Sequence, residues 1–459
     1  MKWKGQAKKV KQKKCRKKMN NRILRLAVPN IISNISIPIL GMVDMGLMGH
    51  LGDEKYIGAV AVGSMIFNFI YWGFSFLRMG TSGFVAQDYG RRNFTGVMLN
   101  LSRALLVAGA GGLLLIILQK PISMLSFFII DSSSEVETLA RQYFHIRIFA
   151  APATIGLYAL TGWFIGMQNA RFPMMITILV NLLNLGFNLL FIKVFGMTSD
   201  GVALGTVIAQ YSGLAMGLFL LHRYYRRIFH YNISSLILQK EALLRFFNVN
   251  RDIFIRTLCL IFSLSFFTAK SASTGDTILA VNSLLLQYFM FYAYFVDGFA
   301  YAAEALSGRY YGAANRSRLK ESIRLLFRWG GGIALVFTIT YLSGGRYLIY
   351  LLTNNETVIS TAMTFFPWII LIPVITFPAF IWDGIYIGTT ASVSMRNAMV
   401  ISTVAVFLPA YCLLEPQLGN HGLWFAFMLF MVSRGVTLTA MAKRAVFHTG
   451  PAIAGTKGR

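Results

Sequence analysis

Charge is what this chain has little of. Asp, Glu, Lys and Arg make up 13% of its 459 residues, roughly half the share of an ordinary soluble domain. Acid is scarcer than base, 17 residues against 43. The apolar share is 56% and the mean hydropathy +0.59, more apolar matter than a water-surrounded core can hold. A bilayer removes the difficulty, since lipid solvates apolar side chains while helices satisfy their own backbone. Cysteine is also rare: Cys15, Cys259 and Cys412 stand far apart, with neither metal-site spacing nor a disulfide framework. No P-loop, HExxH, nucleophile elbow or Gly-rich dinucleotide turn occurs in a suitable context. An ATP-driven pump and a membrane enzyme therefore lack support, and no cofactor or metal is expected.

The residues that are present fall into long apolar runs. About 20 apolar residues cross the hydrocarbon core as a helix, which predicts spans near 28–50, 57–85, 97–118, 138–168, 174–196 and 201–222. A second set lies near 251–272, 277–307, 323–343, 358–390, 398–414 and 421–442. The net charge of +26 does not signal nucleic acid, because the basic residues sit at the ends of these runs. The first 26 residues contain no acid and read as a topogenic tail able to attract anionic headgroups. Base marks Arg91–Arg92, Arg171, 222–256, 309–324, Arg396 and Lys443–Arg444. Acid marks the intervening Asp53–Glu54, Asp131–Glu137, Asp200, Asp276 and Glu356. That alternation, broken by Lys55, Lys120 and Arg346, places both termini in the cytoplasm of a multi-pass inner-membrane protein.

The chain also repeats itself. LTGWFIG at 160–166 resembles IWDGIYIG at 381–388, and SGFVAQDYGRRN at 82–93 resembles EALSGRYYGAAN at 304–315. Gly166 with Gly388, and Gly90 with Gly312, are each 222 residues apart. Six spans per half make the repeat parallel, a design that puts substrate sites between or within the halves near mid-membrane. The expected organisation is a basic tail (1–26), a first six-helix lobe (27–222), a connector (223–250), a second lobe (251–442) and a tail (443–459). The fold class is an all-α membrane protein with two pseudo-symmetric lobes.

Isolated acids within the spans carry the functional reading. Asp44 lies in the first span with apolar residues on both sides, where a carboxylate costs roughly 2.5–3.5 kcal/mol by insertion scales. Burial favours its protonated form, the property a proton-coupled transporter needs; the competing role is an anchor for helix packing. Asn184 and Asn188 are four apart and share a helix face, as a polar site or as interhelical glue. In the second half Asp297 and Glu304 are seven apart on one span, and Asp383 lies two spans later. They bind a cation or pair with arginine, with Arg78 a candidate partner and structural pairing favoured for Glu304. Under the offset of 222, Arg78 corresponds to Ala300, one turn before Glu304. That suggests an Arg78–Glu304 gate which separation of the two halves on the cytoplasmic side would break, with a pair inside one lobe as the alternative.

The segment LAVPNIISNISIPILGMVDMGLMGHLG at 26–52, with IGAVAVGSMIFNFIYWGFSFLRMGTSGFVAQDYG after it, resembles the multidrug and toxic compound extrusion (MATE) transporters, most of all their DinF-like branch. VDGFAYAAEALSGRYYG at 296–312 and WDGIYIGTTASVSMRN at 382–397 resemble the same branch. The resemblance implies a twelve-helix antiporter exporting cationic or amphiphilic organic compounds against a proton or sodium gradient. It implies a bending proline at Pro29, and a coupling cluster of Asp44, Asn184, Asn188 and Thr206. In many members the pattern is Asn-x-x-x-Asp, so Asn188 stands where a second carboxylate often sits. Asp44 is then left to carry coupling in the first lobe nearly alone, which favours protons over sodium. A lipid-linked precursor flippase is the alternative transporter; it expects a cationic cavity. The expected partners are a small organic substrate, protons (sodium as the alternative) and the lipid bilayer, with a monomeric chain.

Overall fold

A computed structural model describes residues 2–49, 53–130, 133–230 and 236–448, with the side chains of 2–15, 43–45, 48, 49, 230 and 448 outside the description. Among the described residues there is no strand, and twelve helices are long and apolar enough to cross a membrane. They are α1 (Lys2–Gly49), α2 (Glu54–Arg91), α3 (Phe94–Ile117), α4 (Ser134–Gly166), α5 (Arg171–Lys193) and α6 (Ser199–Phe229). The second set is α7 (Lys240–Thr274), α8 (Asp276–Gly312), α9 (Arg316–Tyr350), α10 (Glu356–Thr389), α11 (Ser392–Leu418) and α12 (Asn420–Phe447). A short helix, Gln119–Ile129, stands between α3 and α4. The expected all-α, twelve-span class is the one found.

Many helices run past the apolar stretch that predicts them. α9 has 35 residues, about 52 Å at 1.5 Å per residue against a hydrocarbon core of about 30 Å. Local caps, not the end of hydrophobicity, fix such boundaries. The Asn93 side chain accepts from the Gly96 N–H at the start of α3, and Asn315 accepts from the Arg318 N–H at the start of α9. Each asparagine follows a non-glycine residue in the left-handed region, Arg92 at φ 60° and Ala314 at φ 51°. Gln168 at φ 65° and Thr390 at φ 52° end α4 and α10 in the same way. All three pairs are 222 residues apart, so the repeat extends to the backbone of its turns.

Packing repeats too. A Cβ on Gly162 would meet the Arg78 carbonyl, and one on Gly384 the Ala300 carbonyl. A Cβ on Gly166 would meet the Ser82 carbonyl and Val85; one on Gly388 would meet the Glu304 carbonyl and Ser307. Every member of the second set lies 222 residues after its counterpart in the first. Small residues let α4 approach α2, and α10 approach α8, to backbone contact, as helices in lipid commonly do.

The chain forms two compact units. One consists of 32–89 and 93–250; the other of 1–31, 90–92 and 251–459. The first is centred on Leu101, Trp163, Phe164, Ile176 and Ala209. Within it Arg103 of α3 donates to the carbonyls of Leu236 and Ile237, at 2.8 and 3.0 Å, holding the end of the connector. The second is centred on Phe267, Tyr292, Phe366, Trp424 and Phe427. There Arg22 of α1 donates to the Tyr310 hydroxyl at 3.0 Å. Large apolar side chains such as Ile117, Leu182, Phe219, Leu335 and Val436 stand exposed, which a lipid surround satisfies and water does not.

Candidate functional site

In the first-half unit α5 brings its asparagines to α6. The Asn188 amide donates to Asn184 Oδ1 at 3.0 Å, the Asn184 amide donates to Thr206 Oγ1 at 2.8 Å, and Thr206 donates to the Val202 carbonyl at 2.8 Å. All three side chains are buried. Gly205 permits the approach, since a Cβ there would run into Asn188 Oδ1. The one-face spacing thus builds a neutral hydrogen-bonded relay between two helices. One turn before Asn184, the Asn181 amide donates to the Ser36 carbonyl at 3.3 Å and ties α5 to α1. Asp44 falls eight residues after Ser36 on α1; its side chain lies outside the described residues. Pro29 stands in the same helix, and the boundary between the two units follows it by two residues. The proline lacks the N–H of the i→i−4 ladder, and the next residue, Asn30, donates its side-chain amide to the Leu26 carbonyl at 2.8 Å. Arg78 is buried on α2 in this unit, while Glu304 is buried on α8 in the other.

The second-half acids have separate surroundings. Asp383 of α10 accepts from two guanidiniums on a single oxygen, Oδ2: Arg256 of α7, and Arg434 of α12 at 2.7 Å. The acid and both bases are buried, and Arg434 also donates to Met431 Sδ at 3.2 Å. Asp297 of α8 is half-buried. Of the two roles open to Asp383, ion pairing is the one the geometry fits. Its partners are Arg256 and Arg434, which sequence reasoning missed. Arg434 is a lone charge within an apolar run, and such a charge demands a counter-ion; Arg256 follows Arg251 and Asp252 at the edge of its run and gives no such signal. A second lock stands nearby. Buried Asp252 of α7 accepts from Ser392 at 2.9 Å and from Arg396 at 2.7 Å, both at the start of α11. Among the described residues no group of His, Cys, Asp and Glu could hold a metal ion.

The two halves differ in charge at matching places. Positions 222 before Arg256, Asp383 and Arg434 hold Asn34, Thr161 and Ser212. The same offset relates Gly213 to Gly435, whose Cβ atoms would face Leu157 and Ala379, again 222 apart. One half therefore carries a buried ionic triad where the other is polar and neutral.

Comparison with known proteins gives this architecture its family. The family model described as MatE matches twice, at 29–190 and at 253–412. The chain is 37% identical over 423 residues to "DNA damage-inducible protein F" of Escherichia coli K12, covering 91% of each chain. It is 20% identical to "Multidrug export protein MepA" of Staphylococcus aureus, covering 89% of this chain and 90% of that one. Among solved structures, "MATE in the bent conformation" superposes with a TM-score of 0.84 at 18% identity over 93% of this chain and 97% of that one. The Vibrio cholerae MATE transporter VcmN in the bent form gives 0.82 at 18%, covering 94% and 98%. Twelve spans in two repeats, a family model that matches once in each, and the extended identity to the DinF protein together mean that this chain belongs to the MatE family of membrane transporters, in its DinF-like branch.

Proposed function

We propose that the protein exports cationic or amphiphilic organic compounds across the inner (plasma) membrane in exchange for protons, with Asp44 as the main protonatable group. The observation that carries this reading is the bond from Asn181 to the Ser36 carbonyl. Both α1 and α5 are odd-numbered spans, so they cross in the same direction. Eight residues on from Ser36 is Asp44, and seven on from Asn181 is Asn188; each step is about 10–12 Å at 1.5 Å per residue. Position 44 of α1 thus falls level with the Asn184–Asn188–Thr206 relay, a set of neutral oxygens and amides. Asp383, already claimed by two arginines, is a poor competitor for a transported cation. The absence of a second acid at Asn188 favours protons over sodium. The lobes are 27–222 and 251–442, both termini are cytoplasmic, and the chain works as a monomer without enzymatic activity. Arg78 and Glu304 form the cytoplasmic gate, to be tested by cysteine pairs at 78 and 304 in outward- and inward-facing protein.

The decisive measurement is substrate-dependent proton release from proteoliposomes, with and without sodium, for the wild type and Asp44→Asn. Wild-type release independent of sodium, lost in a folded and inserted Asp44→Asn protein, is the expected result. Full efflux by that variant removes Asp44 from the mechanism. Transport that follows a sodium gradient at zero proton gradient replaces the coupling ion.

A further inference from the structure

A groove of about 570 Å³ opens in the second-half unit between α9, α10 and α12. Its walls are Phe327 of α9, Phe377 and Trp382 of α10, and Phe447 of α12. Phe327 stands edge-on to Phe377 and Trp382, with ring centroids 6.2 and 5.2 Å away. The indole N–H of Trp382 is spent on Thr439 Oγ1 at 2.7 Å, which leaves the ring as an apolar wall. Arg324 and Arg328 line the same groove. They are exposed, one helical turn apart on one face, and neither makes a hydrogen bond or ion pair with a described residue. One turn before Arg324, the Lys320 ammonium lies 5.8 Å from the centre of the Phe447 ring. No acid lines the groove.

Two like charges held a turn apart beside four aromatic rings repel each other unless an anion lies between them. Their depth says which anion. Directly after Arg328 begins the charge-free run 329–345 of α9, so the guanidiniums stand where the hydrocarbon core gives way to headgroups. Arginine suits phosphate through its planar fork of donors. An organic cation is repelled by this charge set, and a free phosphate makes no use of the aromatic walls.

We propose that this groove is a binding site for an anionic phospholipid, its phosphate held by Arg324 and Arg328 and an acyl chain lying over Phe327, Phe377, Trp382 and Phe447. The site is separate from the Asp44 reading and stands or falls without it.

The test is native mass spectrometry of the full-length detergent-solubilised protein with added phosphatidylglycerol, phosphatidylcholine or inorganic phosphate. Phosphatidylglycerol adducts are expected in preference to phosphatidylcholine, unaffected by millimolar inorganic phosphate. The Arg324→Gln/Arg328→Gln double variant is expected to bind phosphatidylglycerol at least about tenfold more weakly, since each interfacial base contributes attraction to an anionic lipid. Phe447→Ala is expected to weaken phosphatidylglycerol binding while keeping the preference for its headgroup. Both arginines are exposed, so their loss leaves the fold intact. Equal retention of both lipids by the wild type overturns the proposal, as does unchanged phosphatidylglycerol binding by the double variant. Displacement by inorganic phosphate makes the site one for a free anion. Loss of a dimeric species with lipid binding unchanged makes the groove a contact between copies of this chain. Either of those results also overturns it.

Discussion

Two guanidiniums on one oxygen of Asp383 are held there by burial away from water. In water each would exchange partners freely. At membrane depth an orphaned charge has no solvent to return to, and removing one partner of such a set costs about 3–5 kcal/mol. Asp383→Asn keeps the shape but leaves Arg256 and Arg434 facing a neutral amide. It is expected to destabilise by about that amount, read as a lower thermal unfolding midpoint in detergent and reduced yield in the membrane. Replacing Arg434 by Met in the same protein removes one orphan and should restore part of the loss. An Asp383→Asn protein that unfolds at the wild-type temperature would show that the triad is not an ionic lock. The sequence made half of the site legible for a simple reason. Asn184 and Asn188 are neighbours on one helix, so spacing alone places them together, whereas Thr206, which accepts from Asn184, entered the cluster only through the family resemblance. Arg256, Asp383 and Arg434 come from α7, α10 and α12, and spacing along the chain says nothing about which spans meet. What the chain did display was Arg434 as a lone charge in an apolar run, a sign that some acid must face it.

Helices here touch through what they lack. α4 lies against α2 with only hydrogen at Gly162 and Gly166, and α10 lies against α8 in the same way at Gly384 and Gly388. A side chain at Gly166 has no room, because the Ser82 carbonyl is backbone and Val85 is packed in the core. Gly166→Val should therefore push α4 from α2 and destabilise by roughly 1–3 kcal/mol, the usual cost of overpacking. Gly186→Ala on α5 is the control: its Cβ meets nothing within 4 Å, and helix propensity predicts a gain of up to about 1 kcal/mol. Unfolding curves of the two proteins in one detergent check both signs; a Gly166→Val protein as stable as Gly186→Ala would mean the contact is slack. The number of helices was readable from apolar length, because the bilayer imposes a minimum. Where they stop was less so. The ends are set by Asn93 and Asn315 caps and by left-handed turns at Arg92, Gln168, Ala314 and Thr390, none of which is a residue type usually chosen for such turns.

Across the whole molecule, basic residues collect in one set of loops and acidic residues in the other. In the acidic set, the Lys55 ammonium lies 2.9 Å from Asp53 and 3.4 Å from Glu135. Hydrogen bonds from Lys55 hold the Asp53 carboxyl below the usual carboxylate range. The basic set should face the cytoplasm. A fluorescent protein fused after Arg459 should then fold and fluoresce, and alkaline phosphatase fused there should stay inactive. A cysteine at Ser317, in the first turn of α9, should react with an impermeant maleimide only after cells are opened. Labelling of intact cells would reverse the topology.

The ionic triad has a consequence for the order in which this chain can change. Its counterpart positions in the first half hold Asn34, Thr161 and Ser212, which tolerate replacement one at a time because none leaves a bare charge behind. The second half has no such freedom. Starting from Arg256, Asp383 and Arg434, the loss of the acid strands two cations, while the loss of either base leaves the others paired. Any path back to neutrality must shed an arginine before the aspartate, and any path toward the triad must acquire the acid with its first base. Two copies of one fold thus face different histories. One drifts by single steps, and the other is held by a sequence of moves that only works in one direction at a time.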